Sequence, residues 1–156
     1  MKSKKIETLI ISIFTPLLVG LISSLLSNNS RNTYMELIKP PLSPPGIIFP
    51  IVWIILYILM GIASYFIFIS DSEYKVKAIN LYRTSLIFNF FWSIIFFRLE
   101  LYLLAFVWLL VLIYIIINMI ITFYKIKPLS AYLLIPYLIW CLFAAYLNLA
   151  IYILNK

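Results

Sequence analysis

Apolar runs of about twenty residues, parted by short charged clusters, leave this chain few folds to choose from. A hydrocarbon core of ~30 Å is crossed by ~20 helical residues. Inside it every backbone N–H and C=O has to be satisfied within the protein, which a helix does along its own length. The runs fall at about 6–27, 46–69, 79–97, 101–123 and 130–154. They predict an all-α integral membrane protein, a five-transmembrane-helix bundle. Only 11% of the 156 residues are charged, against ~25% in soluble proteins, so the chain 1–156 reads as a single membrane domain. The first run follows Lys2, Lys4 and Lys5, as in a secretory signal. It exceeds the ~7–15-residue apolar stretch of such signals and lacks an A-x-A-like site, so an uncleaved first helix is expected.

After the first run come a polar exit, SNNSRNT, and a loop at 31–45 dense in proline: Pro40, Pro41, Pro44 and Pro45, with Pro50 just beyond. Proline fixes φ, donates no backbone hydrogen bond and drives the residue before it toward extended geometry. The loop is therefore expected to be a shaped, non-helical lid that feeds a helix starting near Gly46. Charge gives the lid a side. In a five-span chain Lys2, Lys4, Lys5, Lys75, Lys77, Arg83, Lys125 and Lys127 share one end, and Arg31, Lys39, Arg98 and Lys156 the other. Eight against four predicts the N-terminus inside, with the lid and the C-terminus outside. There is no histidine and one cysteine, Cys141. An intramolecular disulfide, a cysteine-cluster metal site, a histidine-ligated haem and a Ser-His-Asp triad are all excluded.

At ~1.5 Å of rise per residue, Trp53 lies ~10 Å below the lid end of the second helix. Asn89 and Trp140 lie ~15 Å along theirs, near mid-bilayer. Tryptophans that anchor a helix belong at the headgroups, so Trp53 and Trp140 are too deep for that role. Phe49, Trp53, Tyr57, Met60 and Ser64 share one helix face, as do Ser85, Asn89 and Ser93, and Pro136, Trp140, Ala144 and Asn148. The Ser85, Asn89 and Ser93 stripe suits interhelical hydrogen bonding, each bond contributing ~0.6–2 kcal/mol. The aromatic faces, with small Ala144 beside them, equally suit a flat pocket. Arg83 and Arg98, near helix ends, reach the headgroups and form no site.

Three blocks carry a further signal: YMELIKPPLSPPGIIFPIVWIILYILMGIASY at 34–65, FNFFWSIIFF at 88–97 and LLIPYLIWCLFAAYLN at 133–148. In this order and spacing the chain resembles the tryptophan-rich sensory protein or translocator protein family (TspO/MBR, the peripheral benzodiazepine receptors). The resemblance spans nearly the whole chain. It implies a five-helix bundle, a homodimer, and a pocket under the first loop for tetrapyrroles such as protoporphyrin IX, sterols and synthetic isoquinoline carboxamides or benzodiazepines. It needs no cofactor and no nucleic acid. Carried over, the ligand-binding candidates are Tyr34, Trp53, Tyr57, Asn89, Trp92, Trp140, Phe143, Ala144 and Asn148, with Pro44, Pro45 and Phe49 shaping the way in.

Two departures stand out. Thr33-Tyr34 replaces the Trp-Tyr that commonly opens the family's loop, and Ser85 replaces a glutamine one turn before Asn89. Both remove groups that would hold a polar ligand, while leaving the fold alone. A weak sterol-type pattern, Leu149, Tyr152 and Lys156, closes the chain; an interfacial Tyr and Lys at a helix end account for it equally. Three functional readings follow: a porphyrin-binding receptor or transporter, a light- and oxygen-dependent porphyrin-degrading enzyme, or a sterol-binding or regulatory membrane partner without turnover. In the second, Trp53 and Trp140 are the catalytic candidates. No general base, nucleophile or metal assists them, so the macrocycle would be the reactive species. The Ile-, Asn- and Lys-rich usage points to a bacterial plasma membrane, or to the mitochondrial outer membrane in a eukaryote.

Overall fold

The computed structural model describes residues 2–27 and 30–156, and every element among them is helical. Met1, Asn28 and Asn29, and the side chains of Lys2 and Ser30, lie outside the described residues. The elements are α1 (Lys2–Leu26), α2 (Ser30–Glu36), α3 (Ile48–Phe68), α4 (Lys75–Ser93), a π-helical turn (Ile94–Arg98), α5 (Tyr102–Ile126) and α6 (Pro128–Leu154). Four of them, α1, α3, α5 and α6, are long and apolar enough to cross a membrane. The fifth long helix, α4, carries Lys75, Lys77 and Arg83 on its first turns and packs within the same bundle. Among the described residues this is thus an all-helical membrane protein, with four clear spans and one more polar long helix.

The lid departs from the expected non-helical loop. Its first part, Ser30–Glu36, is the short helix α2, because no proline interrupts the chain before Pro40. The proline segment itself is irregular, with Leu42 at φ 70. Its carbonyls are all the more available for lack of N–H groups. Pro40 accepts from Ser43 Oγ, Pro41 from Tyr146, Pro44 from Tyr34, and Pro45 from the Ile48 amide that opens α3. At the other end of the bundle Lys127 is extended before Pro128, which takes the first helical position of α6.

Neighbour contacts run α1 to α3, α3 to α6, α6 to α5, α5 to α4 and, more sparsely, α4 back to α1. The long helices therefore form a closed ring. The densest part of the core lies between α5 and α6, where Leu109, Leu112, Ile116, Met119, Phe123, Leu134 and Tyr137 are fully buried. α1 is the least buried span. It meets α3 at Gly61, where an added Cβ would stand 2.6 Å from Ile13 Cα and 2.7 Å from Ser12 O. Pro16 explains that carbonyl: it has no N–H to return to Ser12, so the freed group turns onto the glycine of the neighbouring helix.

Candidate ligand cavity

Above this crossing α1 and α3 part, and a cavity of about 550 Å³ opens beneath the lid. Its walls come from α1 (Leu17, Gly20, Ser24), α3 (Phe49, Trp53, Tyr57) and α4 (Asn89, Trp92), with Arg31 and Tyr34 of α2 above. The floor is set at Gly20, whose missing side chain leaves room for the Tyr57 ring; a Cβ there would overlap it. Tyr57 stacks on Trp53 with centroids 5.5 Å apart, and Trp53 meets Tyr137 of α6 edge-on at 6.2 Å. Asn89 donates to the Tyr137 hydroxyl at 3.4 Å.

The lid closes the top with one aromatic. Tyr34 is 4% exposed, meets Phe49 edge-on at 5.0 Å and donates its hydroxyl to Pro44 O at 2.8 Å. Burial raises the Tyr34 phenol above its usual pKa, which keeps it a donor. Lys39 caps the end of α2, donating to the carbonyls of Tyr34, Met35 and Leu37 at 2.9, 3.2 and 3.2 Å. Pro44 and Pro45 support this arrangement through their carbonyls and are not on the cavity wall.

Tyr34, Phe49, Trp53, Tyr57, Asn89 and Trp92 come together on one cavity, while the α6 candidates stand behind it. Trp140 packs edge-on against the back of Phe49 at 5.8 Å and against Phe143 at 5.6 Å. Ala144 and Asn148 are buried in the core. Of the two deep tryptophans Trp53 and Trp140, Trp53 lines this cavity and Trp140 stands behind it. The large α3 side chains fill the space up to α6, so a face shared along α6 points at α3 rather than into the cavity. Asn148 still matters to the wall: its Oδ1 accepts from Trp92 Nε1 at 3.1 Å, and its amide donates to Tyr102 O at 2.7 Å.

The polar stripe of α4 divides. Ser85 bonds back to Tyr82 O within its own helix at 2.8 Å and also meets Met119 Sδ of α5 at 3.8 Å. Ser93 bonds the Ser27 hydroxyl at the end of α1 at 2.8 Å, and Asn89 reaches α6, so both act between helices and both line the cavity. Sequence reasoning missed the contribution of α1 and of Arg31. The signal available was Gly20, Ser23 and Ser24, small residues on an otherwise aliphatic helix. Of the sterol-type pattern, Tyr152 and Lys156 border a second, open concavity with Glu100 and the start of α5, and Leu149 lies outside it.

The TspO/MBR family matches residues 12–154 of the chain. A tryptophan-rich protein TspO of Archaeoglobus fulgidus is 39% identical, over 94% of this chain and 96% of its own length. Its counterpart in Chlorobaculum tepidum is 34% identical over 98% and 99%. The human translocator protein is 34% identical over 76% of this chain and 72% of its own. On a match over residues 12–154 and relatives alike over nearly its whole length, the chain belongs to the TspO/MBR family.

Proposed function

We propose that this membrane protein binds flat tetrapyrroles, protoporphyrin IX among them, in the cavity under its lid, as a receptor or carrier. The observation that carries this reading is the wall itself: Tyr34, Phe49, Trp53, Tyr57 and Trp92 surround about 550 Å³, and Asn89 offers an amide at the floor. Such a site suits a large planar apolar body better than a sugar or a nucleotide, which would need more polar partners. The test is a dark titration of the purified protein with protoporphyrin IX, read by tryptophan quenching. Saturable quenching that weakens in Trp53→Ala supports the reading, and the absence of saturable quenching rejects it.

Illumination of the same samples separates carrier from catalyst. Trp53 and Trp92 both face the cavity, so an enzyme would convert porphyrin to one defined product and lose that product in Trp53→Phe. A carrier leaves porphyrin decay at the rate of an inert membrane protein, the outcome we expect. In the membrane we propose five crossings, α4 included, with the lid outside. Lys4, Lys5, Lys75, Lys77, Lys125 and Lys127 then share the inner end. Labelling of Lys75 by an impermeant reagent in intact cells would exclude that orientation. The proposed assembly is a homodimer, which light scattering of the purified protein tests directly.

A further inference from the structure

Among the described residues, one seam of the cavity carries no side-chain hydrogen bond: that between α1 and the upper half of α3. On the α4 side, Ser23 Oγ donates to Phe90 O at 2.8 Å, the Ser27 and Ser93 hydroxyls bond at 2.8 Å, and Arg98 donates to Leu26 O at 3.3 Å. On the α6 side, the lid is clasped. The Asn155 amide accepts from the Ile38 N–H at 3.0 Å and donates to the Ile38 carbonyl at 2.9 Å, while the Tyr146 hydroxyl donates to Pro41 O at 2.9 Å. Between α1 and the upper half of α3 the lining residues themselves reach the outside. Leu21 of α1 is 56% exposed, Ile54 of α3 52% and Ile47, just before α3, 57%, on two helices long and apolar enough to cross a membrane. Arg31 stands at the top of the cavity, the one charged residue lining it among those described, and is itself exposed.

We infer that the cavity admits amphiphiles with an acidic head from the bilayer, through the gap between α1 and α3, the acid coming to rest on Arg31 while the lid stays clasped to α6. This builds on the ligand reading above and narrows it. An aromatic pocket alone would not distinguish an acid from its ester. A guanidinium at the rim does, because its fork matches a carboxylate with two parallel hydrogen bonds. An apolar body that already partitions into the leaflet on the lid side slides in without crossing water. Its head stays at the depth where Arg31 sits, at the start of the lid.

The test uses the full-length protein in phosphatidylcholine nanodiscs, with pyrenebutyrate and its methyl ester as flat probes that are not porphyrins. Energy transfer from tryptophan to pyrene reads binding. The wild type should bind the acid more tightly than the ester. Arg31→Gln should weaken the acid on the order of tenfold, the loss of a charge-assisted bond, and leave the ester little changed. The route is read with Ile38→Cys paired with Asn155→Cys, which locks the clasp when oxidised and frees it when reduced; Cys141 is buried and stays out of the exchange. Association should be alike in both states and slow sharply in Ser24→Trp, which fills the gap.

Equal affinity for acid and ester, an Arg31→Gln loss shared by both probes, or a locked lid that stops association would each overturn the inference. So would a wild type that binds neither probe. If protoporphyrin IX fails to bind while pyrenebutyrate binds through Arg31, the tetrapyrrole reading falls and this one stands. If protoporphyrin IX binds with no dependence on Arg31, the reverse holds.

Discussion

The side of the bundle built from α5 and α6 and the side built from α1 against α3 use the same kinds of residue to opposite ends. Leu109, Leu112, Ile116, Met119 and Phe123 of α5 and Leu134 and Tyr137 of α6 are buried almost completely. α1 instead touches α3 through absences: Gly61 admits a backbone and Gly20 admits a ring. Such close approach through small residues is how helices associate in lipid, where apolar side chains gain nothing by leaving hydrocarbon. It also leaves α1 unable to fill the volume above the crossing. The cavity is the consequence. One side of the molecule is held by packing, the other by a few contacts that have to be in register.

The largest expected effect breaks the register. Gly61→Val sets a branched side chain against the backbone of Ser12 and Ile13, which cannot yield as a side-chain tip can. It should destabilise by about 3 kcal/mol, the upper end of overpacking, and abolish binding in the cavity. Denaturant titration in mixed micelles measures the first, and probe titration the second. A stable, binding-competent Gly61→Val protein would mean that α1 is not positioned by this crossing.

Asn148→Leu tests whether the packed side also serves the open one. The substitution leaves the buried Trp92 Nε1 without its acceptor and takes one of two donors from the part-buried Tyr102 O at the start of α5. The expected cost is about 2 kcal/mol, with a shift in Trp92 emission as its indole loses its bond. Loss of stability without any emission change would show that Asn148 only packs, and that the cavity wall is independent of α6.

Much of this division was legible in the sequence. Helix lengths followed from apolar runs, and the period-of-four stripes placed Phe49, Trp53 and Tyr57 on a common face, the face that lines the cavity. Periodicity reports which residues of one helix point together; it does not report which neighbour they meet. Trp140, Ala144 and Asn148 form as regular a stripe, yet they back onto α3 because Phe49 and Trp53 are large enough to close that space. The α1 wall was missed for the complementary reason. Gly20 contributes by lacking atoms, and a pattern search weights the atoms present. The helical start of the lid was missed because the prolines, which begin only at Pro40, were allowed to stand for the whole loop.

A subtler probe of the open side is Gly20→Ala. The obstacle here is the Tyr57 ring, the far part of a side chain, so the ring should move rather than the helix. We expect about 1 kcal/mol of destabilisation, less than at Gly61, with the ring pushed from its stack on Trp53 and probe affinity reduced. If affinity survives intact, the floor of the cavity is deeper than Tyr57.

The smallest effect concerns the clasp between the two sides. Asn155→Ala removes both bonds to the Ile38 backbone, but Ile38 and its surroundings are exposed, so water takes over the freed groups. Stability should therefore fall by only about 0.5–1 kcal/mol, the net value of replaced hydrogen bonds. The Ile38 amide tells more than the melting curve. Its acceptor is the Asn155 side chain, so its hydrogen exchange should accelerate on the order of tenfold when that acceptor is gone. The Ile48 amide, bonded to Pro45 O at the base of α3, should exchange as before. Tyr146→Phe should act in the same direction on the adjoining residues by releasing Pro41 O. Unchanged exchange at Ile38 would show that Tyr34, through Phe49 and Pro44, holds the lid from the cavity side by itself. The packed side of the molecule would then have no grip on the open one.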